Sequence, residues 1–445
     1  MHSSHTTTIG LAFAFLGTFA AIRAQEPTLP ESMRAWFATP EAKRGAPPAD
    51  AGALSRADAE RLLPILVAAW RDGGKHLGLD TLPALHLDDP TKELEPSALQ
   101  IGDVTMPFVL LHKGTKPATG WPLFLCLHGG GGNAEATGPH AWDVNSREWQ
   151  AQKTLFARVY KAPGLYFIPR MADDRRGRWW FTHNQQAFAQ VIAQAIRFRD
   201  VDPDRVYLMG ISEGGYGAIR FAGNRPDRFA GCGGMAAAEP LSTSPPTNMR
   251  NVAFRIDIGE NDTMYDRIGL ARRMGEALAA RKQEDPSGYD FVVHVQQGRG
   301  HGIDYSLTPA WLAERVRNPR PDRVEWTVVP FDTEVALQHH WLALEAAPTT
   351  MPLHLSATLR QNRLALDAWR SGDGGTRVPV TDGVVLVRLD DRLADLDQPL
   401  VLVVNGRERP PRRAIRSLAT MARTLAERDD PQLCFCTELR VSLGD

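Results

Sequence analysis

The stretch Met209-Gly-Ile-Ser-Glu-Gly-Gly-Tyr-Gly217 follows an apolar run, RVYLMG, and precedes AIRFAGNRP, whose apolar residues recur at helical spacing. A serine between glycines where a strand gives way to a helix fits a sharp turn in which only glycine tolerates the closeness of neighbouring backbone. The serine oxygen then stands at the tip, as in the G-x-S-x-G elbow of a nucleophile. The same letters also describe an ordinary glycine-rich turn, and with 38 glycines in 445 residues the pattern needs its context.

Working outward, residues 99–319 alternate short strand-like runs with helical ones. WPLFLCLHGG, GLYFIPR, RVYLMG, VAFRIDIG and YDFVVHVQQG are strand-like, while QQAFAQVIAQAIRFRD and DRIGLARRMGEALAARKQE carry apolar stripes of helical period. Such alternation predicts a mostly parallel sheet covered by helices on both faces, with reactive residues on loops at the carboxyl ends of the strands. Residues 25–98 contain a helical stretch marked by Leu62, Leu63, Ile65, Leu66, Ala69 and Trp70, and show no chemistry. Residues 320–445 show partial period-two alternation and an Asn405-Gly406 turn signal, which predict a small, mostly β accessory domain.

A serine nucleophile requires a histidine base, an acid to orient it and donors for an oxyanion, in the chain order serine, acid, histidine. All follow strand-like runs here. Ser212 is followed by Glu260-Asn-Asp262 after VAFRIDIG and by Arg299-Gly-His301-Gly after YDFVVHVQQG. Upstream, PLFLCLH ends in four glycines, Gly129 to Gly132, whose amides are free of Cβ obstruction and can point at a developing oxyanion. Asp257, Glu260 and Asp266 compete with Asp262 for the acid. His294, inside a strand run, is expected to point into the core or lie under a helix. The loop MADDRRGRWWFTH places Trp179 and Trp180 at another strand end, where they either wall a substrate site or pack structurally.

The motifs LHGGGGN, DPDRVYLMGISEGGYGA, IGENDTMYD and GRGHG resemble the α/β-hydrolase superfamily. They are closest to secreted bacterial polyhydroxyalkanoate depolymerase-like and feruloyl esterase-like serine hydrolases, some labelled prolyl-oligopeptidase-like. The resemblance implies an α/β-hydrolase fold with Ser212 as nucleophile, Asp262 as acid and His301 as base. It implies an oxyanion hole from the amides of Glu213, Gly130 and Gly131. The activity implied is that of a carboxylesterase acting on small or polymer-linked esters through an acyl-enzyme, with no metal or organic cofactor. A serine peptidase is the alternative within enzymes, although the segment before residue 99 is too short for the propeller such peptidases carry. A catalytically idle binding protein on the same fold is the alternative outside enzymes.

Composition is that of a globular protein, 43% hydrophobic and 23% charged with a formal net charge of −1, and gives no electrostatic reason to expect nucleic acid or an anionic membrane as partner. The apolar segment near residues 9–22 reads as a secretory signal over residues 1–24, so a secreted or periplasmic protein with no membrane span in its mature form is expected. Its n-region lacks Lys and Arg. Four cysteines do not make a disulfide framework: Cys126 and Cys232 read as buried small hydrophobes, and Cys434 and Cys436 as sharing one strand face without further zinc ligands. Oligomeric state is left open.

Overall fold

The strand-like runs of the first 300 residues assemble into one twisted sheet. The structure is a computed structural model and describes residues 1, 28–50, 52–87 and 95–444; the expected signal lies outside them. The strands are β1 (His86–Leu87), β2 (Ser97–Ile101), β3 (Val104–Lys113), β4 (Trp121–Leu127), β5 (Gly164–Pro169), β6 (Val201–Ile211), β7 (Gly231–Met235), β8 (Ala253–Gly259) and β9 (Phe291–Gln296). Eight run in the order β1-β3-β5-β4-β6-β7-β8-β9, with β2 paired off β3. From β5 to β9 every pairing is parallel, and β3 joins β5 antiparallel.

Parallel strands need crossovers, and the helical runs supply them. In chain order the helices are α1 (Glu31–Phe37), α2 (Arg56–His76), α3 (Asp143–Arg158), α4 (Thr182–Phe198), α5 (Glu213–Asn224), α6 (Arg267–Glu284), α7 (Leu307–Ala313) and α8 (Leu418–Arg428). Strand β4 is buried at every residue because both faces are covered. Leu123, Leu125 and Leu127 enter one core with Phe188 and Phe221 of α4 and α5, while Phe124 and Cys126 enter another with Phe156 of α3. That two-sided burial is why PLFLCL reads as a continuous apolar run rather than an alternating one.

The C-terminal region is built of mostly antiparallel sheets, with one parallel pairing, between Arg363–Ser371 and Leu400–Val404. One has six strands, from Arg323–Val328 to Arg407–Arg412, and one has four, ending in Thr437–Ser442. Asn405 and Gly406 both have positive φ and join adjacent antiparallel strands by a two-residue turn, as their chemistry predicts. Helix α8, which period-two alternation did not signal, packs against α2, and its capping Asp429 accepts from Trp70 Nε1 at 3.2 Å. The four cysteines are free and buried. Cys434 and Cys436 are not on a strand, which starts only at Thr437. Among the described residues no helix is long and apolar enough to cross a membrane, and no group of three metal-binding side chains is gathered.

Candidate active site

Ser212 leaves β6 with φ 52° and ψ −114°, a conformation costly for any residue with a Cβ, and caps α5. Its amide donates to Met235 O of β7 at 2.9 Å, so the neighbouring strand holds the turn in place. The flanking glycines are there because nothing larger fits. A Cβ on Gly210 would stand 2.2 Å from the carbonyl carbon of Gly214, and one on Gly214 would stand 2.3 Å from Leu127 O. The turn is therefore sharp enough to leave Ser212 half-buried at the carboxyl edge of the sheet.

The acid and the histidine hang from the next strand ends. Asp262 turns back after β8, its amide bonded to Gly259 O at 3.1 Å, and is buried. The two loops dock backbone to backbone: Asn261 N donates to Arg299 O at 2.8 Å, and a Cβ on Gly259 would meet Gly300 O at 2.0 Å. This seats His301, whose Nδ1 lies 2.7 Å from Asp262 Oδ2 while its side chain stays 46% exposed. The other carboxylate oxygen, Oδ1, accepts from Arg267 Nη1 at 3.0 Å, and Arg267 Nε donates to the Tyr216 hydroxyl at 2.6 Å. Asp262 is thus clamped on both sides. Ser212 Oγ and His301 form no direct hydrogen bond among the described residues; nucleophile-to-base contacts of this type are often long before substrate binds.

The competing acids are occupied elsewhere. Asp266 is exposed and paired with Arg273, and Glu260 accepts from Gly298 N. Asp257 is fully buried and bonds His294 Nδ1 at 2.8 Å, Arg255 and Thr308. His294 corrects the expectation of a core side chain: 42% of it is exposed, because β9 is the edge strand of the sheet, and its Nδ1 reaches inward to the buried Asp257 carboxylate.

The glycine loop lies against the elbow, since a Cβ on Gly129 would come 3.5 Å from Ser212 Cβ. Gly130 and Gly131 have φ of 94° and 129°, which only glycine adopts readily. His128, which the sequence reading passed over as a strand end, arranges the loop. Its Nε2 accepts from Met171 N at 3.0 Å, and Nδ1 is left as the donor to Gly129 O. Burial lowers this imidazole to about 4, so it stays neutral in that tautomer. Because N–H and C=O point opposite ways in a trans peptide, binding Gly129 O turns the Gly130 N–H away from His128. Gly131 does not fit the oxyanion role expected of it, because its N–H is spent on Asn145 Oδ1 at 3.1 Å. The amides of Gly130 and Glu213 have no acceptor among the described residues.

Two further side chains border the elbow. Glu213 is buried with one oxygen unpartnered among the described residues and the other paired with Arg178, and burial raises its carboxyl to about 7 against the pull of that guanidinium. Trp179 is not a substrate wall: it is fully buried, its Nε1 bonds His128 O at 2.9 Å, and it packs where a Cβ on Gly217 would be. Trp180 is half-buried, with the Arg220 guanidinium 3.8 Å over its ring.

The strand order and the elbow define an α/β-hydrolase fold. No family model matches the chain. It is similar to a Nocardia uniformis subsp. tsuyamanensis protein called "Putative esterase NocK", 37% identical over 131 residues that make up 29% of this chain and 36% of the relative. The match thus spans about a third of that relative's length. Among solved structures it is similar to a thermostable esterase (18% identity, 50% of this chain and 63% of the other, TM-score 0.36). It is also similar to a ferulic acid esterase (15% identity, 49% and 93%, TM-score 0.33).

Proposed function

We propose that the protein is a serine carboxylesterase. The observation that carries this reading is the Asp262–His301 pair at 2.7 Å, on loops beside a strained serine elbow with a glycine loop pressed against it. In the first step His301 Nε2 takes the Ser212 proton as Oγ attacks the ester carbonyl. The amides of Gly130 and Glu213 receive the oxyanion, and the alcohol leaves with the proton from His301. In the second step His301 deprotonates water, which attacks the acyl-enzyme; the bond to Ser212 Oγ breaks, Oγ takes the proton back from His301, and the acid is released. Asp262, bonded to Nδ1, holds the ring in the tautomer whose Nε2 is free to accept. The similarity to an esterase supports an ester rather than a peptide bond as the scissile group. The exposed His301 suits small or polymer-linked esters alike. The apolar N-terminal segment supports export of the chain.

The test is Ser212→Ala in the full chain. It retains the circular dichroism and melting temperature of the wild type, loses hydrolysis of chromogenic esters by at least about a thousandfold and no longer takes a fluorophosphonate label. Wild-type turnover by the purified variant overturns the reading. Faster cleavage of aryl peptides than of esters by the wild type makes it a peptidase instead.

A further inference from the structure

A cavity of about 690 Å³ lies at the end of α5 remote from Ser212, where α4 and α5 meet α8 and the C-terminal region. Phe221, the lining residue nearest the elbow in sequence, stands nine residues along from Ser212, about 13 Å at the usual rise. Its chemistry is uneven. Phe188, Phe221 and Phe229 supply an apolar wall, and four arginines, Arg197, Arg225, Arg228 and Arg428, also line it.

Five carboxylates, of Glu41, Asp227, Glu334, Glu427 and Asp429, line the cavity with these four cations, and their pairing is uneven. Asp227 is taken by Arg428, Asp429 by Arg197, and Glu427 by Arg388 outside the cavity. Among the described residues Arg225 has one carboxylate within 4.0 Å, Glu334 at 3.8 Å, beside a hydrogen bond to Gln185 Oε1 at 3.4 Å, and Arg228 has none. Arg228 spends one N–H on the Arg428 carbonyl. The Nε of Arg428 is buried without an acceptor among the described residues, on a side chain only 6% exposed. Burial lowers Arg225 from its ordinary value and Arg228 to about 10, and nearby Asp227 offsets only part of that in each case.

We propose that this cavity binds a small organic anion, a carboxylate or phosphate on an apolar body, with its oxygens on Arg225 and Arg228 and its body against Phe221 and Phe229. A guanidinium fork matches both oxyanions bidentately, and the volume is that of a small-molecule site. The site lies apart from Ser212 and takes no part in bond breaking.

Calorimetric titration of the full chain with benzoate and with phenyl phosphate tests it, with neutral benzamide and inorganic phosphate as controls. Benzoate, phenyl phosphate or both bind with Kd below about 1 mM, the tighter of the two identifying the head group. Benzamide and inorganic phosphate each bind at least about tenfold more weakly, for want of charge and of apolar body respectively. Arg225→Gln and Arg228→Gln each weaken binding by about tenfold or more, which places the ligand here and not beside Ser212. Should Arg228→Gln not fold, Arg225→Gln, at the more open rim, carries the same reading. Equal binding of benzamide, anion binding unchanged in the folded variants, or no heat from either aryl anion overturns the proposal.

Discussion

Ser212 sits in a backbone conformation that costs about 1 to 3 kcal/mol, held by the Met235 carbonyl and by two glycines that leave no room for anything larger. The side chains around it are held as firmly. Arg267 binds the Asp262 oxygen that His301 does not use, so Arg267→Met frees the carboxylate to rotate. We expect kcat to fall by about ten- to a hundredfold with KM little changed, and Arg267→Lys to recover part of the loss. Asp257→Asn serves as the contrast, since it disturbs the His294 pair and leaves ester hydrolysis within about threefold of wild type when folded. Glu213 yields a stability prediction. Burial raises its carboxyl to about 7, above the range of an unfolded chain, so the native state holds the proton more tightly than the unfolded state does. Stability is therefore lost as pH rises from about 4.5 to about 7. Glu213→Gln cannot ionise, so its melting temperature gains on wild type between pH 5 and pH 8, by the equivalent of about 2 to 3 kcal/mol. A constant difference across that range contradicts the assignment.

At the scale of elements, the site depends on how closely the β6–α5 turn approaches β4. Gly214→Ala places a Cβ 2.3 Å from Leu127 O, a backbone atom that cannot move aside without disturbing the glycine loop. The expected outcome is destabilisation of roughly 3 kcal/mol or more, read as a loss of soluble protein or a fall in the denaturation midpoint. Gly45→Ala, where a Cβ meets nothing within 4 Å, changes stability by less than about 1 kcal/mol. The acid and histidine loops obey the same rule: Gly259 gives way to Gly300 O, which is why IGEND and GRGHG can lie side by side.

At the scale of the whole molecule, the accessory region is not an appendage. One hydrophobic core runs from Met33 and Trp70 through the sheet to Phe331, Trp326 and Phe435. Buried Arg317 ties β6 to the C-terminal region, pairing with Asp204 and Asp430 at 2.8 Å each. A chain ending near residue 319 therefore meets a cost, since the cut exposes the shared core and leaves buried Arg317 without Asp430. We expect that truncation to aggregate, and the full chain to melt in a single calorimetric transition. A monodisperse, active truncation shows the catalytic region to be self-sufficient.

The alternating apolar periods, the glycines around Ser212 and the order of Ser212, Asp262 and His301 were legible in the sequence, because each expresses a local constraint: a two-sided strand, a turn without room for Cβ, a polar residue at a strand end. Asn405-Gly406 was legible for the same reason. What the tertiary structure alone decided was which groups long-range packing brought together. His128 and Asn145 are local to their own segments and acquire meaning only where they meet the glycine loop, which removed Gly131 from the oxyanion role. Trp179 and Trp180 are adjacent in the chain and alike in chemistry, yet one is sealed under α5 and the other partly faces solvent. Arg267 reads as the first residue of a helix until β8 and α5 place Asp262 and Tyr216 within its reach. Burial and hydrogen-bond partnership are set by residues far apart in the chain, so no window of local sequence contains them.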